Sequence, residues 1–169
     1  MIINLIVNAL RNITVGRYYR TERGYVSEFY RLLYYAIEQN HIFPENTILE
    51  SEVQKRALDH YGVTQRPDLL IHIPIETGLT DNANENNFVC FAFKLNGNFR
   101  KINNDFEKLE QMFQYLNYEL GVLINIGSYP QIYLDRYLGN YKSRIHEFSV
   151  RLAEGNVEIR HAFFNENEI

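Results

Sequence analysis

The sequence predicts one α/β domain, a mixed β-sheet flanked by helices with extra helical segments toward both ends. Three observations predict it. Two apolar runs rich in β-branched and aromatic residues, one from Leu69 to Ile73 and one from Phe88 to Lys94, are separated by a polar stretch and read as antiparallel strands. A helical pattern follows, from about 104 to 120, with Phe106, Leu109, Phe113, Leu116 and Leu120 on one stripe. Then Gly121 to Gly127 forms a continuous apolar run with glycine at both ends, the pattern of a buried strand. A strand placed after a helix after a strand implies a crossover connection and a parallel neighbour. At 169 residues, 46% apolar and 22% charged, the chain suits one core rather than two, so the whole of 1–169 is read as a single domain.

Taken in order, Ile2, Ile3, Leu5, Ile6, Ala9, Leu10 and Ile13 recur near helical spacing and predict an amphipathic helix over 1–15. Its wide apolar face closes over the core or meets a second subunit. Arg17 to Tyr25 interleaves basic and aromatic residues and reads as a loop suited to phosphates and stacked bases, or equally as a solvated connector with its tyrosines docked on the domain. A second helix is predicted from about Val26 to Gln39, opened by Gly24 or Ser27, with Phe29, Leu33 and Ile37 inward and Glu28 in its first turn. Thr47 to Val53 reads as the first strand, its Glu50 and Glu52 on one face. Pro74 to Asn87, rich in Asn, Asp and Gly, reads as a long mobile connection. Beyond Gly127 the pattern predicts a helix from about Gln131 into Arg151, then a last strand from Val157 to Phe164, the C-terminal addition spanning about 130–164.

Composition narrows function. The net charge is −4, which excludes a polycation that coats nucleic acid along its whole surface. Charge is nevertheless uneven: up to residue 31, five arginines face two glutamates, a local balance of +3. Cys90 is the only cysteine, so neither an internal disulfide nor a thiolate zinc cluster is available. The first residues carry no basic n-region or small-residue cleavage site, and no apolar run approaches membrane-spanning length. A cytoplasmic protein with no membrane association is expected.

Two side chains stand out as costly for packing alone. Asp68 follows Pro67 at the mouth of one strand, and Lys94 ends the next. Strand alternation puts Ala92 and Lys94 on one face and Phe91 and Phe93 on the other. Pro67-Asp68 and Phe91-Ala92-Phe93-Lys94 resemble the signature of the PD-(D/E)xK nuclease superfamily, and the order of elements from about 24 to 127 resembles its restriction-endonuclease-like αβββαβ core. Gln111-x-x-x-Tyr115, one helix after the Lys strand, resembles a pattern of the family's recombination-exonuclease branch.

The resemblance implies a Mg²⁺-dependent (or Mn²⁺-dependent) nuclease hydrolysing phosphodiester bonds of DNA, RNA not being excluded. A small nuclease of this kind suits a bacterial defence or toxin effector. It implies Asp68 as metal ligand, the Phe93 carbonyl as a further ligand, Glu28 as a more distant carboxylate, Lys94 as the group that positions or deprotonates the water, and Gln111 as support. Arg17, Arg20, Arg23, Arg100, Lys101 and Tyr115 are the residues expected on nucleic acid. One position departs from the signature: the expected Glu or Asp is Ala92, and a methyl group supplies no oxygen. The expectation is a nuclease disabled at position 92. The alternatives are an acid donated from Glu28 or Glu52, or a chain that only binds nucleic acid or joins an assembly. A homodimer, or a subunit of a larger complex, is expected through the N-terminal helix.

Overall fold

The computed structural model describes residues 1–51, 67–74, 86–127 and 131–164. Helix α1 (Ile2–Arg11) leads through a 3₁₀ turn (Gly16–Arg20) into α2 (Glu22–Asn40). Strands β1 (Ile48–Ser51), β2 (Leu69–His72) and β3 (Asn87–Leu95) follow, then helix α3 (Phe99–Leu116) and strands β4 (Leu120–Ile126), β5 (Ile145–Ala153) and β6 (Asn156–Phe163). The six strands form one sheet in chain order. β1, β2 and β3 are antiparallel, β3, β4 and β5 parallel, and β6 returns antiparallel on β5. The chain is therefore α/β with a mixed sheet between helices, as the sequence predicts.

Alternation along β3 divides the core between two faces. Phe91 and Phe93 pack with Tyr25, Phe29 and Leu33 of α2 and with Leu5, Ile6 and Leu10 of α1. Cys90 and Ala92 pack on the other face with Phe106, Leu109, Met112 and Phe113 of α3. Cys90 is fully buried, and that burial pushes its thiol well above the ordinary range. β4 is buried on both faces from Gly121 to Ile126, as its unbroken apolar run requires.

Several boundaries differ from the sequence reading. α2 begins at Glu22, four residues before Val26, because Thr21 caps it: its Oγ1 accepts the Gly24 N–H at 3.1 Å. Arg23, Gly24 and Tyr25 are thus helical rather than loop. α3 begins at Phe99, where Asn98 Oδ1 accepts the Lys101 N–H, and ends at Leu116 before Asn117 at φ 51°. Leu120 consequently belongs to β4, and Tyr118 is buried beside it rather than on a helix.

The largest correction concerns 131–151, which holds two short 3₁₀ turns (Leu134–Arg136 and Lys142–Arg144) and β5 where a helix was expected. Ile145 and Glu147 to Val150 are buried, with His146 half-buried, because β5 lies between β4 and β6, so no strict alternation marks it as a strand. The β5–β6 hairpin closes on Glu154 (φ 50°) and Gly155 (φ 82°), the left-handed pair that a two-residue primed turn demands. Glu147 of β5 is fully buried and accepts the N–H groups of Tyr133 (2.8 Å) and Leu134 (2.6 Å). It thereby ties the segment after β4 to the sheet; burial first, with Asp135 adding, pushes its carboxyl up to about 7. The expectations for Pro74 to Asn87 and for Glu52 fall largely on 75–85 and 52–66, outside the described residues.

Candidate active site

The site grows from a mismatch in strand length. β2 starts at Leu69, opposite Phe91, while β3 continues to Leu95 and keeps pairing with β4 to that point. The β2-side edge of β3 beyond Phe91 therefore has backbone groups without a strand partner, and buried N–H groups need one. Carboxylates serve. The Asp68 N–H donates to the Phe91 carbonyl at 2.9 Å, and Asp68 Oδ2 accepts the Phe93 N–H at 2.7 Å. Two residues on, the Leu95 N–H donates to Glu22 Oε2 at 3.0 Å, from the first turn of α2. In an extended strand a residue's N–H and C=O share an edge, so the Phe93 carbonyl opens on the side of Asp68.

Across the sheet, α3 delivers a second acid. Asp105 is only 3% exposed, with Oδ1 accepting from Lys108 Nζ at 2.7 Å and Oδ2 at 3.2 Å from Lys94 Nζ. That Oδ2 has no hydrogen bond of good geometry, an unusual state for a buried carboxylate oxygen. Asp68, Ala92, Lys94, Asp105 and Lys108 line one small cavity of about 40 Å³, closed by Pro67, Leu109 and Met112. A larger cleft of about 360 Å³ opens on the other side of Asp68, lined by Glu22, Arg23, Val26, Ser27, Tyr30 and Ser51 as well. Asp68 is the wall shared by both.

The electrostatics follow from burial. Desolvation is the main influence on Asp68; Glu22 and Asp105 add to it, the Phe93 N–H and Lys94 oppose it, and its pKa is pushed up to about 6. Burial acts to lower Lys94, but Asp105, Glu22 and Asp68 outweigh it, so its ammonium is raised from the ordinary value. Lys94 is thus a firmly held cation at neutral pH.

The remaining expected residues distribute as follows. Ala92 and Lys94 share a face beside Asp68, as alternation predicts. Glu28 does not join them. It forms a two-pronged pair with Arg31 (2.7 and 2.9 Å), and this hydrogen bond, against slight burial, holds its carboxyl below the usual range. The helix acid at the strand end is Glu22 instead; six residues at about 100° each set the two roughly 120° apart around α2. Gln111 lies outside the cavity, which takes Asp105, Lys108, Leu109 and Met112 from α3. Glu50 pairs with His72 at 2.9 Å on the β1–β2 edge.

Of the expected nucleic-acid contacts, Arg23 lines the cleft, whereas Arg17 is engaged with Tyr18, donating to its hydroxyl at 3.1 Å. Arg20 is exposed on the 3₁₀ turn, and Arg100 and Lys101 are exposed in the first turn of α3. Tyr115 is 48% exposed in the last turn, so roughly 20 Å of helix separates it from them.

Sequence reading missed Asp105 and Glu22. A signal for Asp105 existed: with Leu109, Met112 and Leu116 it falls at i, i+4, i+7 and i+11, an acid on the buried stripe. Glu22 offered only the acidic first turn after a Thr cap. No family model, curated protein or solved structure matches the chain. Among the described residues no helix is long and apolar enough to cross a membrane.

Proposed function

We propose that this chain is a metal-dependent nuclease of the PD-(D/E)xK type, acting on phosphodiester bonds of DNA or RNA, in which Asp105 supplies the carboxylate absent at position 92. The observation that carries this is the meeting of Asp68, Lys94 and Asp105 at one cavity whose wall between them is Ala92. The element order supports the finer fold assignment as well: α2, β1 to β3, α3 and β4, with β3 and β4 parallel, matches the αβββαβ order of that family.

The donor set fits Mg²⁺ or Mn²⁺. Such ions take one or two carboxylates and fill the rest of an octahedron with waters and substrate phosphate oxygens. Asp68 and Asp105 are the two carboxylates, and Asp105 Oδ2 is the buried oxygen still lacking a hydrogen bond. Among the described residues no group of three or more His, Cys, Asp or Glu gathers for a metal, so waters and substrate must complete the shell. The bound ion supplies Lewis acidity to a non-bridging oxygen and acidifies a water. Lys94, held protonated, donates hydrogen bonds to the attacking water or to the phosphate and offsets the charge that develops there. Lys108 fixes Asp105 through Oδ1.

Nuclease assays with Mg²⁺ or Mn²⁺ on single-stranded and duplex DNA and RNA test this. The chain as it stands should cut, and Asp68→Asn, Asp105→Asn and Lys94→Ala should each lose about 10²-fold or more with unchanged circular dichroism. If it is inert and Ala92→Glu cuts, the missing acid belongs at 92 and the chain is a disabled nuclease. If neither cuts any substrate, the protein is a non-catalytic binding or assembly subunit.

A further inference from the structure

The small cavity holds the charged groups but is too tight for a nucleotide. The cleft beyond Asp68 is not: at about 360 Å³ it lies at the lower end of the ~300–1,000 Å³ range of small-molecule sites. Its walls carry mixed chemistry, with the Asp68 and Glu22 carboxylates on the side of the wall shared with the small cavity. Tyr30 and Val26 give it an apolar side, Ser27 and Ser51 add hydroxyls, and Arg23 brings a guanidinium with no ion pair among the described residues. The Tyr30 ring is fixed in place, its hydroxyl donating to the Leu49 carbonyl at 2.9 Å.

Aromatic surface continues out of the cleft along α2. Tyr34, one turn on, lies parallel to Tyr30 (7° between planes, centroids 6.2 Å apart) and is 41% exposed. Tyr35 meets Tyr34 edge-on and is 56% exposed. A line of flat rings beginning beside Asp68, with the Arg23 guanidinium in the same cleft and without an ion pair among the described residues, suits bases that are not already paired and stacked. A duplex keeps its bases inside the helix and must extrude one to reach such a pocket.

We infer that the cleft takes one unpaired nucleotide of a single-stranded nucleic acid, its base against Tyr30, its phosphate toward Arg23, and the neighbouring base on Tyr34. This rests on the nuclease proposal for the chemistry at Asp68, and it names the substrate class of that site. Only an unpaired strand can lay consecutive bases on consecutive rings while its backbone passes the shared wall at Asp68.

The test is fluorescence anisotropy with labelled oligonucleotides in EDTA, so that binding is read without cleavage. Single-stranded DNA, single-stranded RNA and blunt duplex are the three probes. At least one single strand should bind about tenfold or more tightly than duplex, and the DNA and RNA arms identify the sugar. Tyr34→Ala and Tyr30→Leu should each weaken it about tenfold, whereas Tyr30→Phe, which keeps the ring and loses the Leu49 bond, should not. Arg23→Ala should weaken binding and reduce the salt slope by about 1. Equal affinity for duplex overturns the inference, as does unchanged single-strand binding by Tyr34→Ala and Tyr30→Leu proteins that remain folded. Ring-dependent single-strand binding without cleavage by the chain or by Ala92→Glu leaves the inference standing and removes the nuclease proposal. Cleavage with ring-independent binding does the reverse.

Discussion

At the scale of the residue, Asp68 shows how far local pattern reaches. Its place at the mouth of β2, with Lys94 and Ala92 on one face of β3, follows from strand alternation and was legible in the sequence. Its partner acids were harder to read: the helical period marks Asp105 as an acid on the buried stripe of α3, but which strand end it and Glu22 meet is set by helix docking, which no local period encodes. The site should cost stability. The folded-state pKa of Asp68 is about 6 against an ordinary 3.8, so the folded chain holds this proton more tightly than the unfolded one. Its contribution is therefore fully present below about pH 4, is lost as pH rises to about 6, and stays lost above. Asp68→Asn removes the buried charge while its amide oxygen can still accept the Phe93 N–H. Thermal unfolding at pH 7.5 should show the variant more stable by about 1–3 kcal/mol, the gain fading as pH falls from about 6 to about 4. Mg²⁺ should raise the melting temperature of the parent and not of the variant. A variant less stable than the parent at pH 7.5 would mean the charged form of Asp68 is favoured by folding.

At the scale of the element, the β3–α3 turn joins the strand end that carries Lys94 to the helix that carries Asp105. Asn125 of β4, nearly buried, clasps Gly97 from both sides: its Oδ1 accepts the Gly97 N–H at 2.9 Å and its Nδ2 donates to the Gly97 carbonyl at 3.2 Å. A Cβ at Gly97 would sit 2.6 Å from Ile102 Cδ1 and 2.8 Å from Lys94 Cγ, so the turn lies directly on the lysine stem. Gly97→Ala should therefore shift Lys94 and lower the kcat of the proposed nuclease by about tenfold or more while melting falls only a few degrees. Equal kcat in the two proteins would show that the turn does not set the lysine. The asparagines and glycine here read as an ordinary turn in sequence; the clasp from β4 lies 28 positions away. β5 eluded local reading for a related reason. A strand's place between two others is a property of the sheet, and only the Glu154-Gly155 turn gave a local mark of the hairpin.

At the scale of the whole molecule, the N-terminal helix was legible as amphipathic, with the core of its own chain and a second subunit both open as partners of its apolar face. Ile6, Leu10 and Ile13 are fully buried and Leu5 nearly so, packed in the same cluster as Phe29, Phe91 and Phe93. Ile2, Ile3 and Val7 lie partly buried against that cluster. The face expected to carry a second subunit thus covers the sheet of its own chain, and a dimer through it would uncover the core. Ile6→Asp places a charge where no partner compensates it, and this should abolish the cooperative unfolding transition rather than change the association state. Light scattering of the parent alongside circular dichroism of the variant checks both halves. A folded Ile6→Asp protein of lower mass than the parent would restore the helix to the role of an interface. A parent that scatters as a monomer would carry one cavity and one cleft per particle. That matches an enzyme drawing a single strand past Asp68 better than one cutting both strands of a duplex at once, which needs two sites facing opposite strands.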